Sequence, residues 1–271
     1  SSSQDEMKKQ PVGSGPWQFE SISDNTLDLV PNKNYNGATP AKDEKLHYDV
    51  LKDPTARLTA QQDGTTLAME MVPADAVDQL KGAGCTVDAV QGFGVRFAMF
   101  NLGKAPWDNV KVRQACLYAL DTDKMLANAF SGQAEVATSY LPSSIANYHK
   151  ASTVYAHDVD KAKKLISESG ITPGDVVLRT TDNEQVKSMA TQVKNDLDAL
   201  GFNVSIVSDT SPATYAAIDA VDGSWDILLA PGDPSCFGAD VDLLLNWWYG
   251  DNVWMTKRCP WKESAEWTKL H

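Results

Sequence analysis

The carboxyl-terminal half of this sequence predicts an α/β fold with parallel strand pairing, and three observations carry that expectation. Residues 175–179, 203–207 and 225–230 are short apolar, β-prone runs separated by helical patterns at 184–200 and 212–220. An order of strand, helix, strand, helix, strand implies parallel pairing with helices covering the sheet. Within 184–200, Val186, Met189, Ala190, Val193, Leu197 and Leu200 recur at helical spacing as one apolar stripe, and Gly201 is placed to stop the helix. Finally, an apolar run at 96–102 passes through Pro106-Trp107-Asp108 into a helix whose apolar face carries Val112, Ala115, Cys116 and Ala119.

The remaining elements follow in chain order. Residues 17–20 and 26–30 read as a strand pair turning near Asp24-Asn25, and 46–50 alternates like a third strand. Asp53 caps a helix at 54–62, with Pro54 in its first turn and Gly64 beyond its end. Residues 66–72 read as a strand, and 73–80 as a helix. Strands are also expected at 86–90 and 96–102, around Gly92 and Gly94. Asp108 starts the helix to Leu120, and Asp121-Thr122-Asp123 caps another to Phe130. Residues 139–156 are loop-like, and Asp158 caps a helix that ends at Gly170. A boundary between two structural units is expected near residue 92.

Composition narrows the function. The 271 residues are 42% hydrophobic and 22% charged, with a net charge of −12 at pH 7. That acidity argues against nucleic acid, which needs a basic surface to meet phosphates, and against an anionic membrane surface. No apolar run reaches the ~18 residues of a membrane span. No signal peptide is visible, and the opening Ser1-Ser2-Ser3-Gln4-Asp5-Glu6 looks like a cut linker. Cys85, Cys116, Cys236 and Cys259 form no C-x-x-C pair, which disfavours a zinc or thioredoxin-like site. Cys116, on an apolar helix face, is expected to be a buried free thiol. His47, His149, His157 and His271 stand in no H-E-x-x-H spacing, and no G-x-S-x-G elbow exists. Gly13-Ser14-Gly15 lacks the ending of a phosphate-binding loop. Catalysis thus has no motif behind it, and no metal or cofactor is called for.

Several spaced pieces resemble one family. Pro11-Val12-Gly13-Ser14-Gly15-Pro16-Trp17 looks like a G-T-G-P-aromatic turn; Asn32, Tyr35 and Gly37 look like an N-x-x-Y-x-G element. Asp53-Pro54-Thr55-Ala56-Arg57 with Gln62 and Gly64 forms a third piece. The strongest is Asn101, Pro106, Asp108, Val112-Arg113-Gln114-Ala115, Tyr118-Ala119 and Asp121. Four such pieces in order resemble the family 5 extracellular solute-binding proteins, the peptide and nickel receptors of ABC importers. The resemblance implies a periplasmic-binding-protein-like type II fold (cluster C), with two hinged lobes and the solute in the cleft. Members are usually near twice this length. Residues 1–92 would then be a returning segment of lobe I, and 93–271 would be lobe II, truncated at its end.

The resemblance also implies a function: a non-enzymatic receptor that captures oligopeptides or dipeptides and delivers them to the permease subunits of an ABC transporter. It would act as a monomer, periplasmic or as a cell-surface lipoprotein. A nickel-chelate or haem receptor is the alternative within the family. A soluble α/β enzyme and a surface adhesion or sensor module stand outside it.

Candidate binding residues follow from position. Asp233 lies in Ala230-Pro231-Gly232-Asp233-Pro234-Ser235, directly after a strand, where α/β sheets bind ligands. In peptide-binding relatives a carboxylate in this loop holds the ligand's α-ammonium group, a strong charge-assisted bond; ordinary turn chemistry is the plainer explanation of Gly-Asp-Pro. Trp247, Trp248 and Trp254 cluster after a helix-like 240–245, and with Phe237 suit an aromatic wall or core packing. Arg179 ends a strand and suits either a ligand carboxylate or a salt bridge. Arg96 and Asn101 lie where the second lobe would begin and either line the cleft or fix the hinge. Arg113 is expected to tie its helix to Asp108 or Asp121.

Overall fold

The computed structural model describes residues 4–232, 240–258 and 265–270. The chain divides into two compact units, Ser1–Asp88 and Ala89–His271.

In the first unit, a short helix α1 (Gln4–Lys9) precedes three strands, β1 (Trp17–Ile22), β2 (Thr26–Pro31) and β3 (Leu46–Asp49), paired antiparallel in that order. Asp53 accepts from the Ala56 N–H and so caps α2 (Pro54–Gln62). A single 3-10 turn (Ala74–Ala76) leads into α3 (Val77–Gly82). The expected strand at 66–72 does not form. A strand needs a neighbour for its N–H and C=O groups, and 66–72 has no strand partner among the described residues. Leu67 is left 98% exposed and Met71 takes a positive φ of 54°. Residues 86–90 are likewise not a strand.

The sheet of this unit carries a charged cluster. Asp28 accepts from His47 Nδ1 at 2.7 Å and from Ser21 Oγ at 2.9 Å, while Lys45 Nζ lies 3.2 Å from Asp28 and 3.1 Å from Glu20. His47 Nε2 is also 3.4 Å from Asp49. The hydrogen bond from His47, then those from Ser21 and Lys45, hold the Asp28 carboxyl down at about 2. The same bond to Asp28 raises His47 above its ordinary value. A raised histidine stabilises fully below its unfolded value of about 6.5 and loses that contribution as pH rises through its folded value. A lowered carboxylate stabilises above its unfolded value and loses that contribution as pH falls toward 2. Proton NMR should find the His47 midpoint above ~6.5, returning toward that value in Asp28→Asn; an unshifted midpoint in the parent chain would contradict the pairing.

The second unit holds a four-stranded sheet of order β4-β7-β5-β6: β4 (Val95–Phe100), β7 (Ile227–Gly232), β5 (Asp175–Thr181) and β6 (Asn203–Asp209). β5 runs parallel to β6 and β7, and β4 antiparallel to β7. The helices are α4 (Val110–Ala119), α5 (Thr122–Phe130), α6 (Val159–Ser169), α7 (Glu184–Asp198), α8 (Ser211–Asp219), α9 (Val241–Tyr249) and α10 (Ala265–Leu270), with a π-turn at Trp254–Arg258. Asn109, one residue beyond the expected Asp108, caps α4.

Period-two alternation sorts the sheet's side chains onto two cores. Val176, Leu178, Ile227 and Leu229 pack with Val186, Ala190, Val193 and Leu197 of α7 and with the buried face of α4. Met99, Leu228 and Ala230 face the other way, onto Ile218 of α8, Trp225 and Trp254. With α7 and α8 on opposite faces, the chain crosses from β5 to β6 on one side and returns to β7 on the other. Arg258 fastens the second core: it pairs with Asp219 through two bonds of 2.7 and 3.0 Å, and its guanidinium carbon lies 4.6 Å from the ring centres of both Tyr215 and Trp254.

Cys116 is buried within the first core, and burial pushes its thiol up to about 12. In the folded chain at pH 8 a maleimide, followed by peptide mapping, is expected to label the partly exposed Cys85 and to spare Cys116 until denaturant is added.

Candidate functional site

The reversal from β6 across to β7 creates a topological switch point between β5 and β7, and α/β sheets bind ligands in the crevice outside the carboxyl ends of such strands. Those ends are Thr181 and Gly232. β4 runs antiparallel, so its beginning lies at the same edge: Val95 pairs with Gly232 and Arg96 with Pro231.

Two glycines stand at this edge, Gly94 exposed and Gly232 buried. A Cβ at Gly94 would sit 3.6 Å from the Gly232 carbonyl oxygen and 3.7 Å from Arg96 Nη1. A Cβ at Gly232 would meet Trp248 Cζ2 at 3.3 Å and the Phe97 ring at 3.4 Å. The Arg96 cation therefore stands to one side of the main chain at this edge and the Trp248 ring to the other. Arg96 Nη2 donates to Gln185 Oε1, which anchors the guanidinium to the first turn of α7. At the end of β5, Thr181 is 2% exposed and its hydroxyl has no hydrogen-bond partner among the described residues.

Trp248 lies on α9 rather than after it, because the helix runs on to Tyr249. Its ring is edge-on to Phe97 with centres 4.6 Å apart, stacked on Trp247 at 5.8 Å, and edge-on to Tyr140 at 6.3 Å. Trp254 is 5% exposed and belongs to the core, and Trp247 packs against it at 5.7 Å. Among the described tryptophans of the expected cluster, Trp248 is the one that reaches the strand end.

The other sequence candidates separate. Asp233 and Phe237 lie outside the described residues, although Asp233 follows directly on Gly232. Asn101 belongs to the opposite edge, where β4 finishes: it is buried and its Nδ2 donates to the Trp225 carbonyl at 3.1 Å. That bond ties β4 to the entry of β7 and takes Asn101 away from the carboxyl ends. Arg179 stands two residues inside β5 and pairs with Asp209 at 3.0 Å, so its guanidinium already has a protein carboxylate. Arg113 pairs with neither Asp108 nor Asp121 but donates to the Trp107 carbonyl at 2.6 Å.

Sequence reasoning missed Asp226. It is 3% exposed, accepts from Trp107 Nε1 at 2.8 Å and from the Val177 N–H at 2.9 Å, and pairs with Lys104 at 2.8 Å. This buried carboxylate holds β5, β7 and the loop before α4 together at the end of the sheet remote from the switch point. A shallow groove of about 380 Å³ between α5 and α7 is lined by uncharged groups such as Asn128, Thr191 and Asn195, away from the strand ends. No group of three or more metal-ligating side chains occurs among the described residues, and no helix among them is long and apolar enough to cross a membrane.

Comparison with known proteins places this architecture. Residues 2–255 match the family model described as bacterial extracellular solute-binding proteins, family 5 middle. The chain is 31% identical over 223 residues to heme-binding protein A of Haemophilus influenzae, covering 79% of this chain and 39% of that protein. It is 26% identical over 254 residues to the nickel-binding periplasmic protein of Escherichia coli, covering 84% of this chain and 48% of the other. Among solved structures, an ABC transporter-associated periplasmic binding protein from Helicobacter pylori, in complex with the peptide STSA, superposes with a TM-score of 0.78 at 25% identity, over 89% of this chain and 47% of that one. The chain thus spans less than half the length of these relatives, with the α/β fold of their kind. It belongs to the family 5 bacterial extracellular solute-binding proteins, a family of solute receptors and not of enzymes.

Proposed function

We propose that this chain is part of the substrate-binding component of an ABC importer, capturing dipeptides or oligopeptides and passing them to membrane permease subunits. Residues 1–92 act as a returning segment of lobe I and 93–271 as lobe II. The observation that carries the reading is the switch-point edge, where the main chain is exposed at Gly94 and β7 ends at Gly232 with the Arg96 cation to one side and the Trp248 ring to the other; Asp233 is next in sequence. A carboxylate at 233 would hold the ligand's ammonium group by a charge-assisted bond. The exposed main chain at Gly94 suits a ligand with amide groups, and Trp248 offers apolar area, with Phe237 as a further ring close in sequence. The peptide-bound relative supports this ligand class.

A second reading, a haem or metal-chelate receptor, is favoured by the heme-binding relative at 31% identity. Flat rings at 140 and 248 would suit a macrocycle. Thermal shift and titration calorimetry with dipeptides, tripeptides, haemin and a nickel–histidine chelate separate the two. Peptide binding that weakens about tenfold or more in Asp233→Asn or Arg96→Ala supports the first reading, charge-assisted bonds being worth roughly 1.5–3 kcal/mol. Binding of haemin or the chelate without any peptide response would replace it with the second. Closure on the solute would follow only from differential contacts in the closed form.

A further inference from the structure

We propose that Tyr140 is a specificity-determining residue of the ligand site, presenting a fixed ring beside Trp248 that favours ligand groups with flat apolar surface. The proposal rests on the reading of the β7 edge as the ligand wall. Tyr140 lies in the connection of residues 131–158 between α5 and α6, which contains no helix or strand. Connections of that length without secondary structure are uncommon in compact domains and are usually functional.

This one is built rather than slack. The Ala151 N–H donates to the Thr138 carbonyl at 2.8 Å, and the Thr138 and Tyr148 hydroxyls are hydrogen-bonded. Ser143 Oγ donates to Glu135 at 3.0 Å, and Ile145 is 5% exposed. These contacts close residues 138–151 into a compact loop of the omega type. Tyr140 sits inside the closed stretch, edge-on to Tyr249 with ring centres 5.0 Å apart and edge-on to Trp248 at 6.3 Å. Two rings fix its position, yet the residue is 53% exposed. A tyrosine serving the core alone would be covered; this one keeps half its surface toward solvent. Trp248 in turn touches the Gly232 position, which ties the loop to the strand end that leads into Asp233.

The chemistry of the selected group follows from the neighbours. Aromatic faces offer apolar contact at low conformational cost.

The test is calorimetry on the full chain and on Tyr140→Ala and Tyr140→Phe, with the tripeptides Ala-Phe-Ala, Ala-Gly-Ala and Ala-Lys-Ala as probes. Tyr140→Ala is expected to weaken Ala-Phe-Ala by about three- to tenfold, and the other two by less than about twofold. Tyr140→Phe should keep the parent's preference. Equal weakening of all three probes, a loss confined to Ala-Lys-Ala, or no change would overturn the assignment while leaving the peptide site standing. Absence of binding by all three to the unaltered chain would overturn the peptide reading, and this proposal with it. Should Tyr140→Ala fail to fold by far-UV circular dichroism, Tyr140→Leu on the same panel decides.

Discussion

Asp226→Ala is expected to cost about 3–5 kcal/mol of unfolding free energy, because removing one partner of a buried pair leaves the rest uncompensated. Lys104 is about a third exposed in its side chain and turns to water at little cost. Trp107 Nε1 and the Val177 N–H have no such exit, since both bonds are made around a carboxylate whose side chain is 4% exposed. Each orphaned donor costs roughly 1–3 kcal/mol. For a unit of this size the melting temperature should fall by roughly 6–20 °C. Denaturant titration followed by far-UV circular dichroism measures the loss. Asp226→Asn, which retains one acceptor oxygen, should fall between the parent and Asp226→Ala. A loss under about 1 kcal/mol in the alanine variant would remove Asp226 from its place as the organiser of this end of the sheet.

Trp107→Ala should be comparably severe, about 3–5 kcal/mol, and for a different reason. The ring is fully buried, stacked between Phe100 at 5.5 Å and Phe202 at 5.8 Å. Alanine there opens a cavity between two aromatic faces that are themselves carried by β4 and by the start of β6. Trp107→Phe separates the two contributions, keeping most of the stacking while deleting the bond to Asp226. Combined with Asp226→Asn it closes a double-mutant cycle, with a coupling energy of about 0.5–3 kcal/mol expected for groups in direct contact. Additivity within ~0.3 kcal/mol would mean that the indole bond carries little.

The parts of the fold that were readable from sequence are those whose signal is local. The stripe from Val186 to Leu197 has to bury itself, and β5, β6 and β7 are short enough to announce their alternation or full burial. The strand at 66–72 misled because its pattern is equally local while its formation depends on a partner strand. Asp226 could not be read: in Trp225-Asp226-Ile227 a carboxylate looks like the charged entry to a strand, and its indole partner is 119 residues away. The same distance effect hid the tie between Arg96 and Gln185, 89 residues apart. Asn101 and Arg179 were sensible candidates by type. Only strand direction and register show that one stands at the wrong edge and the other is set back and paired. Tyr140 gave no sign because a loop has no period to reveal which way a ring faces.

The seam of main chain between the exposed Gly94 and the buried Gly232 bears on how a receptor of the proposed kind would change its cargo. Peptide groups cannot be altered by a codon change; the only mutational moves at those two positions add atoms and obstruct the space. Anchorage through them would pass unedited from one descendant to the next, while rings and charges around the rim are free to vary. A lineage built this way could drift among chemically distant solutes without having to reinvent the place where they are held.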